Sequence, residues 1–154
     1  MTYLKLKHDD NTLEIRGYSM LPLVDSGDKV KISASEKYKK GDILAVIDNY
    51  GRLILHRLIG FDGEKMIIKG DNAMRTEWVE PKNCFGRTVE ILKKDGRIIF
   101  VRRKFTDIFI VLLSRMTNRY FLKTREEAER VLKHWFCRLQ KFIICKTEFC
   151  YSKK

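Results

Sequence analysis

The sequence predicts a mainly β protein, a small coiled barrel or sandwich that carries a pair of α-helices at its C-terminal end. Three observations carry that expectation. Residues before position 104 form short Val/Ile/Leu-rich stretches about ten residues apart, separated by Gly-Asp and Asp-Gly turns. Beyond Lys104 the apolar spacing becomes helical. Hydrophobic residues make up 44% and aromatics 11% of 154 residues, enough apolar surface for one real core. The expected division is a β core over 1–104 and a basic helical appendage over 105–154.

Strands are expected at 29–32, 43–48, 53–59, 65–69, 87–92 and 98–102. The turns between them include Ser26-Gly27-Asp28, Lys40-Gly41-Asp42, Asn49-Tyr50-Gly51, Asp62-Gly63 and Asp95-Gly96. The last two suit tight hairpins, because glycine adopts the positive φ such turns require. Phe109, Leu112, Leu113, Met116 and Tyr120 fall at helical spacing, as do Ala128, Val131, Leu132, Trp135, Leu139, Phe142 and Ile143. Thr124 and Glu127 between them have capping-box spacing, so two helices are expected near 107–120 and 125–146.

The net charge is +12, and residues 105–154 hold +6 of it. Such a field attracts anionic lipid, nucleic acid or acidic peptide without choosing among them. In the second expected helix Trp135, Phe136, Leu139 and Phe142 oppose Arg130, Lys133, Arg138 and Lys141. Packing on the barrel, docking to a partner and lying on an anionic membrane surface all suit that amphipathic pattern over 125–146. The longest nearly uncharged apolar run is 108–113, and a bilayer span needs about 20 residues. With no apolar secretion signal in the first ten residues, a cytoplasmic location is expected, with peripheral contact at the inner membrane face.

Cys84, Cys137, Cys145 and Cys150 show no CxxC spacing and read as reduced thiols, so no metal and no cofactor is expected. No dinucleotide loop, Walker loop or HExxH is present. His8 and His134 lack sequence partners.

Composition does not account for Gly17-Tyr18-Ser19-Met20-Leu21-Pro22-Leu23, followed by Ser26-Gly27-Asp28-Lys29-Val30. Gly17 permits close backbone approach and Pro22 stiffens the turn after the serine. A loop serine alone is ordinarily just solvated. The pattern Gly-x-Ser-Met-x-Pro, then Gly-Asp-x-Val, resembles the nucleophile box of the signal peptidase I superfamily, which includes the SOS-repressor autoproteases. Lys40-Gly41-Asp42-Ile43, Leu55-His56-Arg57-Leu58-Ile59-Gly60 and Lys69-Gly70-Asp71-Asn72 are similar to its three further boxes, in the family's order.

The resemblance implies a serine endopeptidase with Ser19 as nucleophile and His56 as general base. His56 stands where most of the superfamily has Lys, which resembles the endoplasmic-reticulum and archaeal Ser–His branch. Imidazole has an unperturbed pKa near 6.5 and accepts a proton at neutral pH without the desolvation a lysine base needs. By the same resemblance Asp71 is the third member. Glu77 occupies the position of a second acid six residues on, one methylene longer than the usual Asp. The oxyanion hole is expected to use the Ser19 amide. Gly17, Tyr18, Met20 and Pro22 would line the site where an extended peptide docks.

No spanning helix precedes Gly17 in this sequence. The expectation is therefore a dedicated processing peptidase acting on a peptide or precursor leader, not a general signal peptidase. Residues 1–16 contain no Ala-Gly or Cys-Gly pair, which argues against self-cleavage. The competing class is a non-catalytic β-barrel module that uses its basic surface for membrane, nucleic acid or a partner protein. Ser, His and Asp together favour the enzyme, and nucleic acid is not an expected partner.

Overall fold

The structure is a computed structural model that describes residues 11–35, 37–101 and 108–116, the backbone of 3–6, and residues 138, 139 and 142. Its strands are β1 (Tyr3–Leu6), β2 (Thr12–Arg16), β3 (Lys29–Ser33), β4 (Ile43–Ile47), β5 (Leu53–Asp62), β6 (Lys65–Lys69), β7 (Thr76–Val79), β8 (Cys84–Leu92) and β9 (Ile98–Phe100). A short 3-10 turn, Pro81–Asn83, precedes β8, and residues 108–116 form a helix, α1.

The described strands make one nine-stranded antiparallel sheet in the order β1-β2-β3-β8-β4-β5-β6-β7, with β9 on β8. The sheet curls into a half-barrel, which brings β1 back against β5. β8 returns late in the chain to fill the gap between β3 and β4. β5 is ten residues long. Its first half pairs β4 (Ile43↔Arg57 to Ile47↔Leu53), and its second half pairs β6 from Arg57↔Lys69 onward.

β4 is a continuous apolar run because both of its faces are buried, so alternation disappears there. Ile43 and Ala45 join one core with Ile15, Met20, Val30, Leu55 and Ile91. Leu44 and Val46 join a second core with Ile54, Leu58, Met66, Ile68 and Val79. β3 alternates as expected, with Val30 and Ile32 inward and Lys31 outward.

The mainly β class matches the sequence reading. β3, β4, β5 and β6 fall on the expected strands, while β8 starts earlier than expected, at Cys84, and β9 is shorter. β1, β2 and β7 were not foreseen. β2 alternates as β3 does, with Leu13 and Ile15 inward, but no glycine turn precedes it to mark a strand, and β7 buries only Val79, too little for a period. α1 lies within the first expected helix and sets Ile110 into the first core, with Val111 and Ser114 also buried. Of 125–146 only residues 138, 139 and 142 are described, and all three are helical. The membrane-facing surface expected there lies outside the described residues. No described helix is long and apolar enough to cross a membrane. Cys84 is a free thiol; Cys137, Cys145, Cys150, His8 and His134 lie outside the described residues.

The Gly27-Asp28 and Gly41-Asp42 turns each hold a buried carboxylate, Asp28 at 2% and Asp42 at 8% exposure. Asp28 Oδ2 accepts from the Asp25 amide at 2.8 Å and from Lys93 Nζ at 3.0 Å, while Lys93 Nζ also donates to the Leu23 carbonyl at 2.7 Å. The end of the Ser19 loop is thereby tied to the β8–β9 turn. Asp28→Ala removes the carboxylate that pairs with Lys93 and accepts from the Asp25 amide, and urea unfolding is expected to show a loss of about 3 kcal/mol.

Candidate active site

β2 ends at Arg16, and Gly17 turns the chain with φ 112°, a region that strains any other residue. The loop that follows is a compact turn, with the Leu21 amide donating to Tyr18 O at 3.3 Å and the Val24 amide to Met20 O at 3.0 Å. Met20, Leu23 and Val24 sink into the first core, whereas Tyr18 is 60% exposed. Ser19 is half-buried between them, and so is Pro22, which follows a cis peptide bond. Of the residues expected to meet a substrate, Tyr18 therefore stands at the surface and Met20 lies entirely inside.

The Lys-Gly-Asp-Asn turn after β6 holds this loop in place. The Asn72 amide donates to the Ser19 carbonyl at 2.7 Å, and Asn72 Nδ2 donates to the Tyr18 carbonyl at 3.1 Å. Between them Gly70 is a point of contact. A β-carbon there would sit 2.7 Å from the Ser19 carbonyl oxygen and 3.0 Å from His56 Nε2. Serine backbone and imidazole thus converge on one glycine, which has no side chain because there is no room for one.

His56 lies on β5 opposite Leu44 and is 6% exposed. Burial pulls its pKa down to about 4, against the opposing pull of the Asp71 and Asp48 carboxylates. The imidazole is therefore neutral at pH 7, the form a general base requires. Its Nδ1 has no hydrogen-bond partner among the described residues. Glu77 Oε1 stands 3.6 Å from that nitrogen, too long for a hydrogen bond and short enough for a small rotation to close. Burial raises the Glu77 pKa, the Asp48 carboxylate adds to the rise, and Arg52 opposes it. The β6–β7 register puts Glu77 there by setting Ile68 opposite Glu77.

Asp71 is engaged differently. Arg57 donates to both of its oxygens, Nε to Oδ1 at 2.9 Å and Nη2 to Oδ2 at 2.8 Å. Arg57 Nη1 donates to the Gly41 carbonyl at 2.9 Å, and Arg57 and Asp71 are 2% and 3% exposed. The base strand, the second Gly-Asp turn and the Lys-Gly-Asp-Asn turn are therefore pinned at one buried ion pair. Lys69 is equally buried, opposite Arg57 and Thr76, and its charge also lowers the His56 pKa. The sequence reading gave no role to Arg57, Lys69 or Gly70. The available signal was two cations inside otherwise apolar strands, Leu-Ile-Leu-His-Arg-Leu-Ile and Lys-Met-Ile-Ile-Lys. Among the described residues no cluster of His, Cys, Asp and Glu is arranged to hold a metal ion.

A family model described as peptidase S24-like matches residues 2–99, which include every residue of this site. The chain belongs to the peptidase S24-like family. That family sits in the superfamily to which the four sequence boxes pointed, and it brings a serine-peptidase type of function in general terms. No curated protein and no solved structure matches this S24-like chain.

Two outcomes follow for the S24-like site. Gly70→Ala forces apart the Ser19 backbone and the imidazole, and labelling of the serine by a fluorophosphonate should slow by about 100-fold while circular dichroism stays unchanged. The second concerns acid. Between about 4 and the ordinary 6.5, the His56 imidazole binds protons in the unfolded chain and not in the folded one. Its share of stability is whole above about 6.5, falls as pH drops, and levels off below about 4. Urea midpoints measured from pH 8 to pH 4 should fall less for His56→Gln than for the unsubstituted chain.

Proposed function

We propose that this chain is a Ser–His endopeptidase that cleaves a peptide or precursor leader, with Ser19 as nucleophile, His56 as general base and Glu77 as the acid that orients the imidazole. The observation that carries it is the double facing of one buried, neutral histidine. Nε2 lies at the Gly70 contact with the Ser19 backbone, while Nδ1, without a partner, faces Glu77 Oε1 at 3.6 Å. Serine needs a neighbouring base to become a nucleophile, and that base works best when a third group fixes its tautomer.

In this mechanism Ser19 Oγ attacks the scissile carbonyl as its proton passes to His56 Nε2. The imidazolium is stabilised by Glu77 across Nδ1–H, a contact that shortens as charge develops. The Ser19 amide receives the oxyanion. The C–N bond then breaks as Nε2 returns the proton to the leaving amine, and water hydrolyses the acyl-serine by the same route in reverse. Asp71 acts at one remove as a positioning residue: through Arg57 it holds the strand and the turn that bring His56 to Ser19.

This assignment makes Glu77 the primary acid, although Asp71 stood first in the sequence reading. It also keeps the expected substrate class, a dedicated peptide or precursor leader. The test uses fluorophosphonate labelling together with mass spectrometry of candidate precursors. Ser19→Ala and His56→Ala should abolish both label and cleavage, and no labelling of the unsubstituted chain from pH 6 to pH 9 would sink the proposal in favour of a non-catalytic module. Glu77→Gln should lower kcat by about 100-fold or more with unfolding midpoint unchanged. Asp71→Asn should instead cost about 3–5 kcal/mol of stability, since it leaves a buried guanidinium without its anion.

A further inference from the structure

β1 lies between the strand that leads into Ser19 and the strand that carries His56. β1 pairs antiparallel with β2 in the register Tyr3↔Arg16, Leu4↔Ile15, Lys5↔Glu14 and Leu6↔Leu13, and it also lies against β5. The other edge of β2 belongs to β3. On β5, residues 53–57 pair β4, and β6 takes the opposite edge only from Arg57 onward. Over 53–56 that opposite edge has no ladder partner among the described strands, and it ends at the catalytic imidazole.

An extended polypeptide that presents a bond to Ser19 must lie along these edges, because main-chain pairing to an exposed strand is how a groove without deep pockets holds one. The β2 edge has room for one strand at a time. We propose that Tyr3–Leu6 is an internal occupant of the peptide groove, so that the chain holds its own site closed and an extended polypeptide substrate enters by displacing β1. β1 suits this part. It is four residues long, forms a ladder only with β2, and so is held by less than any strand of the sheet interior. Asn11, a bend with φ 52° directly before β2, marks where the fixed part of the chain begins. Affinity for an incoming strand is then reduced by the fraction of chains in which β1 is seated.

The inference rests on the proposed function only for what the groove serves, so its test reads binding apart from catalysis. The probe is fluorescein-labelled casein, an unstructured polypeptide, titrated by fluorescence anisotropy against full-length protein in a Ser19→Ala background. Leu4→Pro with Leu6→Pro removes two strand amides and fixes φ, which unseats β1. Lys5→Cys with Glu14→Cys places two thiols on opposed positions of the ladder, within disulfide reach, and locks β1 down. The proline variant should bind casein about tenfold or more tightly than the parent. The oxidised cysteine variant should bind none, and binding should return with dithiothreitol, while the parent chain taken through the same oxidation does not change.

Equal binding by all three proteins, or none by the proline variant with circular dichroism intact, overturns the inference. Fluorophosphonate labelling, run in parallel with Ser19 restored, separates the two claims. Absence of label with the casein pattern as described overturns the catalytic assignment and leaves the occupied groove standing.

Discussion

The buried pairing of Arg57 with Asp71 is the constraint on which the rest of the site depends. Either charge alone would cost several kcal/mol to keep out of water. Here both carboxylate oxygens are taken by one guanidinium, whose remaining nitrogen finds the Gly41 carbonyl. Such a pair adds little net stability over an apolar equivalent, but it tolerates only one relative placement of its partners. The elements so placed are the His56 strand β5, the turn before β4 and the turn after β6. That last turn grips the Ser19 loop through the carbonyls of Tyr18 and Ser19. The distance from serine to histidine is thus set by charge geometry, several bonds away from either residue.

Dryness is the second theme. His56 sits where water is scarce, and the cost of charging it there keeps it neutral. The neighbouring charges are of both signs: Arg57, Lys69 and Arg52 against Asp71, Asp48 and Glu77. Two of the acids serve different cations. Asp71 answers Arg57, and Asp48 accepts from Arg52 Nε at 2.7 Å and from the Arg52 and Tyr50 amides within its own turn. Glu77 is left facing the imidazole.

Much of the framework could be read in advance, since the strands that bury both faces or alternate cleanly announce themselves. β3 through β6 are of that kind. β2 alternates like β3 but lacks the glycine turn that announces β3, and nothing in Thr-Glu-Trp-Val of β7, with one buried residue, separates an edge strand from a polar loop. The four boxes were legible as chemistry because each joins a glycine, required by space or by φ, to a polar residue with a fixed task. Gly17 and Gly70 are the clearest, one turning the chain at φ 112° and the other admitting serine backbone and imidazole to a common contact.

What the sequence by itself determined was the set of participants: a mainly β core, a serine after a glycine turn, a histidine on an apolar strand, and two acids six residues apart. Which acid meets the histidine was decided only by tertiary structure. Ile68 pairs with Glu77 across β6 and β7, and Arg57 reaches over the sheet to take both oxygens of Asp71. The physical reason is that a carboxylate goes to the partner its strand register and burial bring near, and neither register nor the rotamer of a buried arginine is written in residue spacing. The same holds for Ser19. Its place in a box marked it as a nucleophile, but the fold alone set it beside His56 and laid β1 along the strand that leads to it.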